Sequence, residues 1–181
     1  MIADELLRAR RTVHNFTGRP VPDDLVLAAV ESARWAPNHK LTEPWEFLLI
    51  GGETAAAISE RNAEMLLETK GPAAAEHKLR RWKSMPGWML LTCRRSVDPI
   101  RQQEDFGACC CAAQNWMLSL WAQGIGTKWG TGPVTRDPDF FRLVGVDPAQ
   151  RFTVGLFWYG YPAEVPTSTR GDLGDSLRVL P

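Results

Sequence analysis

The chain is expected to fold as a single domain of mixed helices and strands, and three observations point there. Its 181 residues and 44% hydrophobic composition are enough for one substantial core without disulfide staples. Apolar runs of strand length at 45–50, 87–93 and 151–160, with a shorter one opening 124–132, are set among segments of helical periodicity. The longest helical pattern, 99–123, repeats apolar residues every three or four positions, as the spine of such a domain would.

Residues 4–11 read as a short helix with Leu6 and Leu7 inward. Pro20-Val21-Pro22-Asp23-Asp24 opens a second helix, with proline and acids in the turn where unpaired N–H groups and the helix dipole favour them. Leu25, Ala28, Ala29 and Ser32 give it an apolar and small face, and it must end before Pro37, which disfavours helical geometry in the preceding residue. The run 45–50 is a strand stopped by Gly51-Gly52. Charge-rich helical sequence fills 53–83 and breaks at Gly71-Pro72. Lys70, Lys78, Arg80, Arg81 and Lys83 make it locally basic, either as a solvated helix pair or as a lid hinged at the break.

Residues 87–93 are continuously apolar, which predicts a strand buried on both faces. In the 99–123 helix, Phe106, Cys109, Cys110, Ala113, Trp116, Met117 and Leu120 form the inward face. The small residues 107–113 would let another helix approach closely, as in packing against a partner subunit. Residues 124–132 form a short strand ending in a glycine-rich turn, and no long helix follows, which excludes a dinucleotide-binding GxGxxG reading. A short helix at 137–144 and a strand at 151–160 complete the domain. The tail, about 161–181, carries Pro162, Pro166, Gly171 and Gly174 and is expected to extend, lying across a partner.

Lys plus Arg number 21 and Asp plus Glu 21, so no net basic field draws nucleic acid or an anionic membrane. No run of about 18 apolar residues appears, and Met1-Ile2-Ala3-Asp4-Glu5 carries acids where a signal peptide would be basic; a soluble, cytoplasmic protein is expected. Cys109, Cys110 and Cys111 are consecutive and point in different directions on a helix, so no metal site is expected, and with Cys93 they read as reduced core residues. There is no GxSxG elbow and no HExxH, and His14, His39 and His77 sit in dissimilar contexts. A Cys93/His39 nucleophile pair is the hydrolytic alternative, disfavoured because a thiol within a buried strand would have a raised pKa.

One constellation stands out. Arg10-Arg11-Thr12, the polar, proline-broken stretch from Trp35 to Trp45, and the Gly124 to Gly132 turn together suit an anionic, aromatic cofactor, because guanidinium forks grip phosphate while Trp and His faces flank a planar ring. The bland readings are a solvated helix end for Arg10-Arg11, packing for the tryptophans, Trp45 above all, and loop structuring for His39.

The order and spacing of these motifs resemble the nitroreductase family of FMN-dependent oxidoreductases. Its members begin Arg-Arg-Ser/Thr and carry an Ala-Pro-x6-Pro-Trp loop, here Ala36-Pro37-Asn38-His39-Lys40-Leu41-Thr42-Glu43-Pro44-Trp45. The His-Lys loop and short chain look most like its small members, and the similarity runs from about residue 5 to 161. The resemblance implies an α+β fold, an antiparallel-rich mixed sheet flanked by helices, in an intertwined homodimer with FMN at the subunit interface. It implies that Arg10 meets the phosphate or ribityl arm, that Arg11 and Thr12 meet ribityl or pyrimidine oxygens, and that Trp35 and His39 contact the cofactor in part from the other subunit. It also places Trp129-Gly130-Thr131 beside the isoalloxazine. Lys40 or Arg11 would favour the anionic reduced ring.

The implied activity is ping-pong hydride transfer from NADPH or NADH through flavin N5 to a small-molecule acceptor, a nitroaromatic or quinone, with no catalytic side chain. The alternative is an FMN-storing or regulatory protein with little turnover. Many relatives carry Ser-x-x-Asn-x-Gln in the loop where this chain has Asn38 to Glu43, and larger relatives carry a Lys/Arg pair near the C-terminus, where this chain has only Arg170 nearby, without an assigned role.

Overall fold

In the computed structural model, which describes residues 3–181, helices α1 (Ala3–Ala9) and α2 (Asp23–Ala33) precede strand β1 (Trp45–Leu49). Helices α3 (Gly52–Lys70) and α4 (Pro72–Lys83) lead to β2 (Gly87–Arg94), followed by α5 (Pro99–Ala122), β3 (Gly126–Gly130), α6 (Pro138–Val144) and β4 (Arg151–Gly160). Met1 and Ile2, part of the N-terminal stretch read above, lie outside the described residues.

The strands form one sheet in the order β1-β2-β4-β3, antiparallel at every pairing. A parallel contribution comes from the isolated bridge between Thr12 and Thr127. Residues 87–93 of central β2 are all buried, as their unbroken hydrophobicity requires. Alternation sends Met89, Leu91, Cys93 and Phe157 to one face, where they meet α2 and α5 through Ala29, Ala33, Cys109, Ala113 and Trp116. Trp88, Leu90, Leu156 and Trp158 occupy the other, against Ile58 of α3, Trp82 of α4 and Phe140 of α6. Trp82, Trp88 and Trp158 form a triangle with ring centroids 5.0 to 5.5 Å apart. This anchors α4 in the core, so the 53–83 hairpin is a packed layer of the fold.

The helix boundaries follow local chemistry. Asp98 caps α5 by accepting from the Ile100 and Arg101 N–H groups, with Pro99 opening the helix. Asp137 caps α6 in the same way, accepting from Asp139 and Phe140. Between α3 and α4, Gly71 takes φ +80°, which a residue with a Cβ reaches only with strain.

Three sequence expectations need correction. Helix α1 ends at Ala9, so Arg10 and Arg11 leave it, and neither of its leucines is buried, Leu6 being half-buried and Leu7 exposed. The inner stripe of α2 is Val26, Ala29 and Ala33, with Ala28 and Ser32 outward; the stripe follows the residues that meet α5. Phe106 of α5 is partly exposed, its ring 6.1 Å from Phe152, whereas Ala108 and Ala112 turn inward. Among the small residues of α5, Ala108, Cys109, Ala112 and Ala113 are thus used inside the protomer, and Gly107 and Cys111 face out. Beyond a bridge of Pro162 to Phe16 the tail forms the short turn Leu173–Asp175 and exposes Val165, Leu173, Leu177, Val179 and Leu180. Among the described residues no helix is long and apolar enough to cross a membrane.

Candidate functional site

The segment after α1 lies along the outer edge of β3. Val13 N–H donates to the Thr127 carbonyl at 2.9 Å, and Val13 is fully buried against Gly126, where a Cβ would come within 2.4 Å of the Val13 side chain. Further on, Thr17 N–H donates to Tyr161 O and Ala163 N–H to Asn15 O, clamping the segment between the sheet and the start of the tail. Strand alternation then fixes what the edge offers. Thr127 turns its carbonyl outward to Val13, so Trp129, two residues on, turns its N–H and C=O toward the same edge beyond the bridge.

Arg10 is the most telling residue here. It is half-buried, and its Nε has no hydrogen-bond partner. Burial, and then the neighbouring Arg11 and Arg170, hold its guanidinium below the usual arginine range. A buried donor surrounded by like charge is satisfied by an anion, and phosphate supplies both the charge and the acceptor. Arg170, to which the sequence gave no role, is brought here by the course of the tail; its neighbourhood was invisible in a proline- and glycine-rich stretch. Arg11 donates to the carbonyls of Arg8 at 2.6 Å and Arg10 at 2.8 Å, which caps the end of α1.

Further along the same edge, β3 sends Lys128 to the α4 side, with Nζ 5.5 Å from the Trp158 ring centroid. There it meets Lys78 and Arg81 of α4 and His14. Arg81 Nη2 donates to the His14 carbonyl at 3.3 Å. Lys128 and Lys78 are held below the usual lysine range, and His14 below the usual imidazole value. In each case burial is the first cause and neighbouring cations the next, with Glu164 opposing the shift at His14. Lys78 and Arg81 read as solvated surface charge in the sequence because nothing local links α4 to β3. Arg81's spacing of three residues from Lys78 and four from His77 was the available signal.

Trp129 is committed to the fold. Its Nε1–H donates to Val154 O at 3.1 Å and its ring lies 5.0 Å from Phe157, over Gly155, where a Cβ would collide with it. The backbone of Trp129, not its indole, therefore faces the edge, while that of Gly130 pairs with Leu156 of β4. The turn after it is stapled, with Thr135 N–H and Oγ1 both donating to Gly132 O.

The loop from Trp35 to Trp45 stands apart. Trp45 is core, as its packing reading held. Asn38 Oδ1 accepts from Glu43 N–H at 2.7 Å, its Nδ2 donates to Thr42 Oγ1 at 3.0 Å, and Thr42 Oγ1 donates to Asp105 Oδ1 of α5 at 2.5 Å. Lys40, Leu41 and Glu43 all take positive φ, 58°, 50° and 42°, a strained shape for residues other than glycine. The latch holds Trp35, His39, Lys40 and Leu41 out to solvent, with Trp35 81% and Leu41 82% exposed. No hydrogen bond among the described residues ties this loop to Arg10-Arg11-Thr12.

Cys93 and Cys109 touch across the β2–α5 contact, both fully buried. The Cys109 thiol donates to Cys93 and draws it below the usual thiol range against the push of burial, contrary to the sequence expectation, while Cys109 itself is pushed up. Cys93 S–H is held to Arg94 O. What keeps Cys93 from acting as a nucleophile is complete burial.

Comparison with known proteins fits this geometry. The model of the Nitroreductase family matches residues 7–161, and the chain belongs to that family. The protein YfhC of Bacillus subtilis (strain 168), provisionally named an NAD(P)H nitroreductase, is 31% identical over 166 residues, 90% of this chain and 85% of its own. A nitroreductase-like family protein from Bacillus cereus superposes with a TM-score of 0.86 at 26% identity, over 99% of this chain and 96% of that one. The FMN-dependent nitroreductase NfnB of Mycobacterium smegmatis, solved with NADPH, shares the fold with a TM-score of 0.77 at 17% identity, over 99% and 98% of the two chains.

Proposed function

We propose that the protein is an FMN-dependent NAD(P)H oxidoreductase that passes hydride in two half-reactions to a small acceptor such as a nitroaromatic or quinone. The observation that carries this reading is the cationic edge along β3, with the unpartnered Nε of Arg10 at one end and His14, Lys128 and Arg81 further along it. Arg10, with Arg11 and Arg170 beside it, holds the phosphate of FMN, and exposed Thr12 offers its hydroxyl to the ribityl chain. The backbone N–H at Trp129 and the cations of Lys128 and Arg81 face the ring, where positive charge favours the electron-rich reduced form. Bound FMN supplies hydride acceptance and donation at N5, so the protein needs no side-chain acid or base for that transfer.

The latched loop with Trp35, His39 and Lys40 serves a second subunit's site. It projects from its own protomer, and the tail beyond Tyr161 leaves five large apolar side chains uncovered, as an arm that wraps a partner would. The protein is thus a homodimer with both chains lining each site.

An absorption spectrum of the purified protein, taken anaerobically before and after NADPH or NADH, tests the reading. Flavin bands that bleach with the nicotinamide and return with a nitroaromatic or quinone support it. Flavin bands indifferent to both nicotinamides favour a storage role, and colourless protein that takes up no FMN overturns it.

A further inference from the structure

Immediately beyond the cationic edge a cavity of about 470 Å³ opens, lined by His77, Arg80 and Arg81 of α4, by Asn15 and Phe16, and by Met85. Asn15 and Phe16 continue the segment that begins at Arg10, so the cavity and the flavin edge are consecutive along one stretch of chain. Arg81 belongs to both, lining the cavity while donating to His14 O. The spacing of 77, 80 and 81 puts three nitrogen-bearing side chains on one face of α4. No carboxylate lines the space. Two lining residues pair with acids that stand outside the lining, Arg80 with Glu76 and the Asn15 amide with Glu164 at 2.8 Å. Phe16 and Met85 add an apolar, aromatic wall.

We propose that this cavity takes the 2′-phosphoadenosine end of NADPH and so selects NADPH over NADH. The proposal rests on the flavin reading above, since the donor must reach the β3 edge. The chemistry is specific in two ways. A doubly charged phosphomonoester matches the paired guanidinium forks of Arg80 and Arg81 with His77 as a further donor, whereas the ribose 2′-hydroxyl of NADH calls for a carboxylate acceptor that the cavity lacks. The flat wall of Phe16 suits a purine ring.

The test uses the protein as purified, FMN-loaded if it carries FMN, titrated calorimetrically with adenosine 2′,5′-bisphosphate and with 5′-AMP. The bisphosphate is expected to bind about 10-fold more tightly than 5′-AMP, and Arg80→Ala with His77→Ala to erase that preference, with Arg80→Lys retaining part of it. In turnover the same double variant raises the KM for NADPH about 10-fold and leaves the KM for NADH and the flavin content unchanged. Equal binding of the two nucleotides, or a preference untouched by the double variant, overturns the proposal. A protein that takes up no FMN yet keeps a bisphosphate preference sensitive to Arg80 overturns the flavin reading and supports the cavity's assignment.

Discussion

Arg61 of α3 grips Asp137 with two parallel hydrogen bonds, Nε to Oδ1 at 3.0 Å and Nη2 to Oδ2 at 2.9 Å. The same carboxylate caps α6, so one side chain joins the α3 layer, the turn that follows β3 and the start of a helix. The turn shaping the open end of the β3 edge is thereby fixed from behind.

Asp137→Ala removes both roles and is expected to lose about 1 kcal/mol from the cap alone, read as a lower urea midpoint. Asp137→Asn keeps the cap acceptor and loses only the ion pair, so it should fall between. The Asp137 carboxyl is held below its ordinary value of 3.8, chiefly by Arg61. A depressed acid stabilises the fold above its unfolded pKa and loses that contribution as pH falls through the folded one. Wild-type stability should therefore drop below about pH 4 more steeply than that of Asp137→Asn.

Arg10→Ala should purify with far less flavin. Removing one side of a buried charge-assisted phosphate contact costs on the order of 2–4 kcal/mol, roughly 30- to 1000-fold in affinity, measured as FMN retained through gel filtration. Full retention would remove Arg10 from the phosphate site.

Asn38→Ala cuts the latch that holds the 38–43 turn and its three left-handed residues. A loss of about 1 kcal/mol is expected, with faster proteolysis between residues 36 and 44. Unchanged cleavage there would show that Thr42 and Asp105 hold the loop without it.

Cys93 and Cys109 should resist iodoacetamide in the native protein and react once it is unfolded, and Cys93→Ala should retain flavin and turnover. Inactivation by Cys93→Ala without loss of fold would revive the thiol mechanism.

Much of the layout was legible in the chain. The unbroken apolar run of β2, the long helical pattern from residue 99 and the break at Gly71-Pro72 are local signals, and each element formed where its signal lay. The Arg10-Arg11-Thr12 motif was readable too, although Arg11 proved to be spent largely on the end of α1. What could not be read were the meetings of distant segments. Lys78 and Arg81 join His14 and Lys128, and Arg170 joins Arg10, only because β3 runs beside residues 12–13 and the tail folds back past them. The partner of the Trp129 indole was hidden for the same reason, since Val154 lies 25 residues away on β4.

Strand β2 is flanked by neighbours on both edges and covered on both faces, whereas β3 has only a short bridge on its outer side. Amide protons of residues 87–93 should thus be among the last to exchange with solvent, and those of the outer rim of β3 and of residues 36–44 among the first. Such a gradient lets the outer rim of β3 open and reclose many times within the lifetime of one folded molecule, while the central strand keeps the register of the sheet.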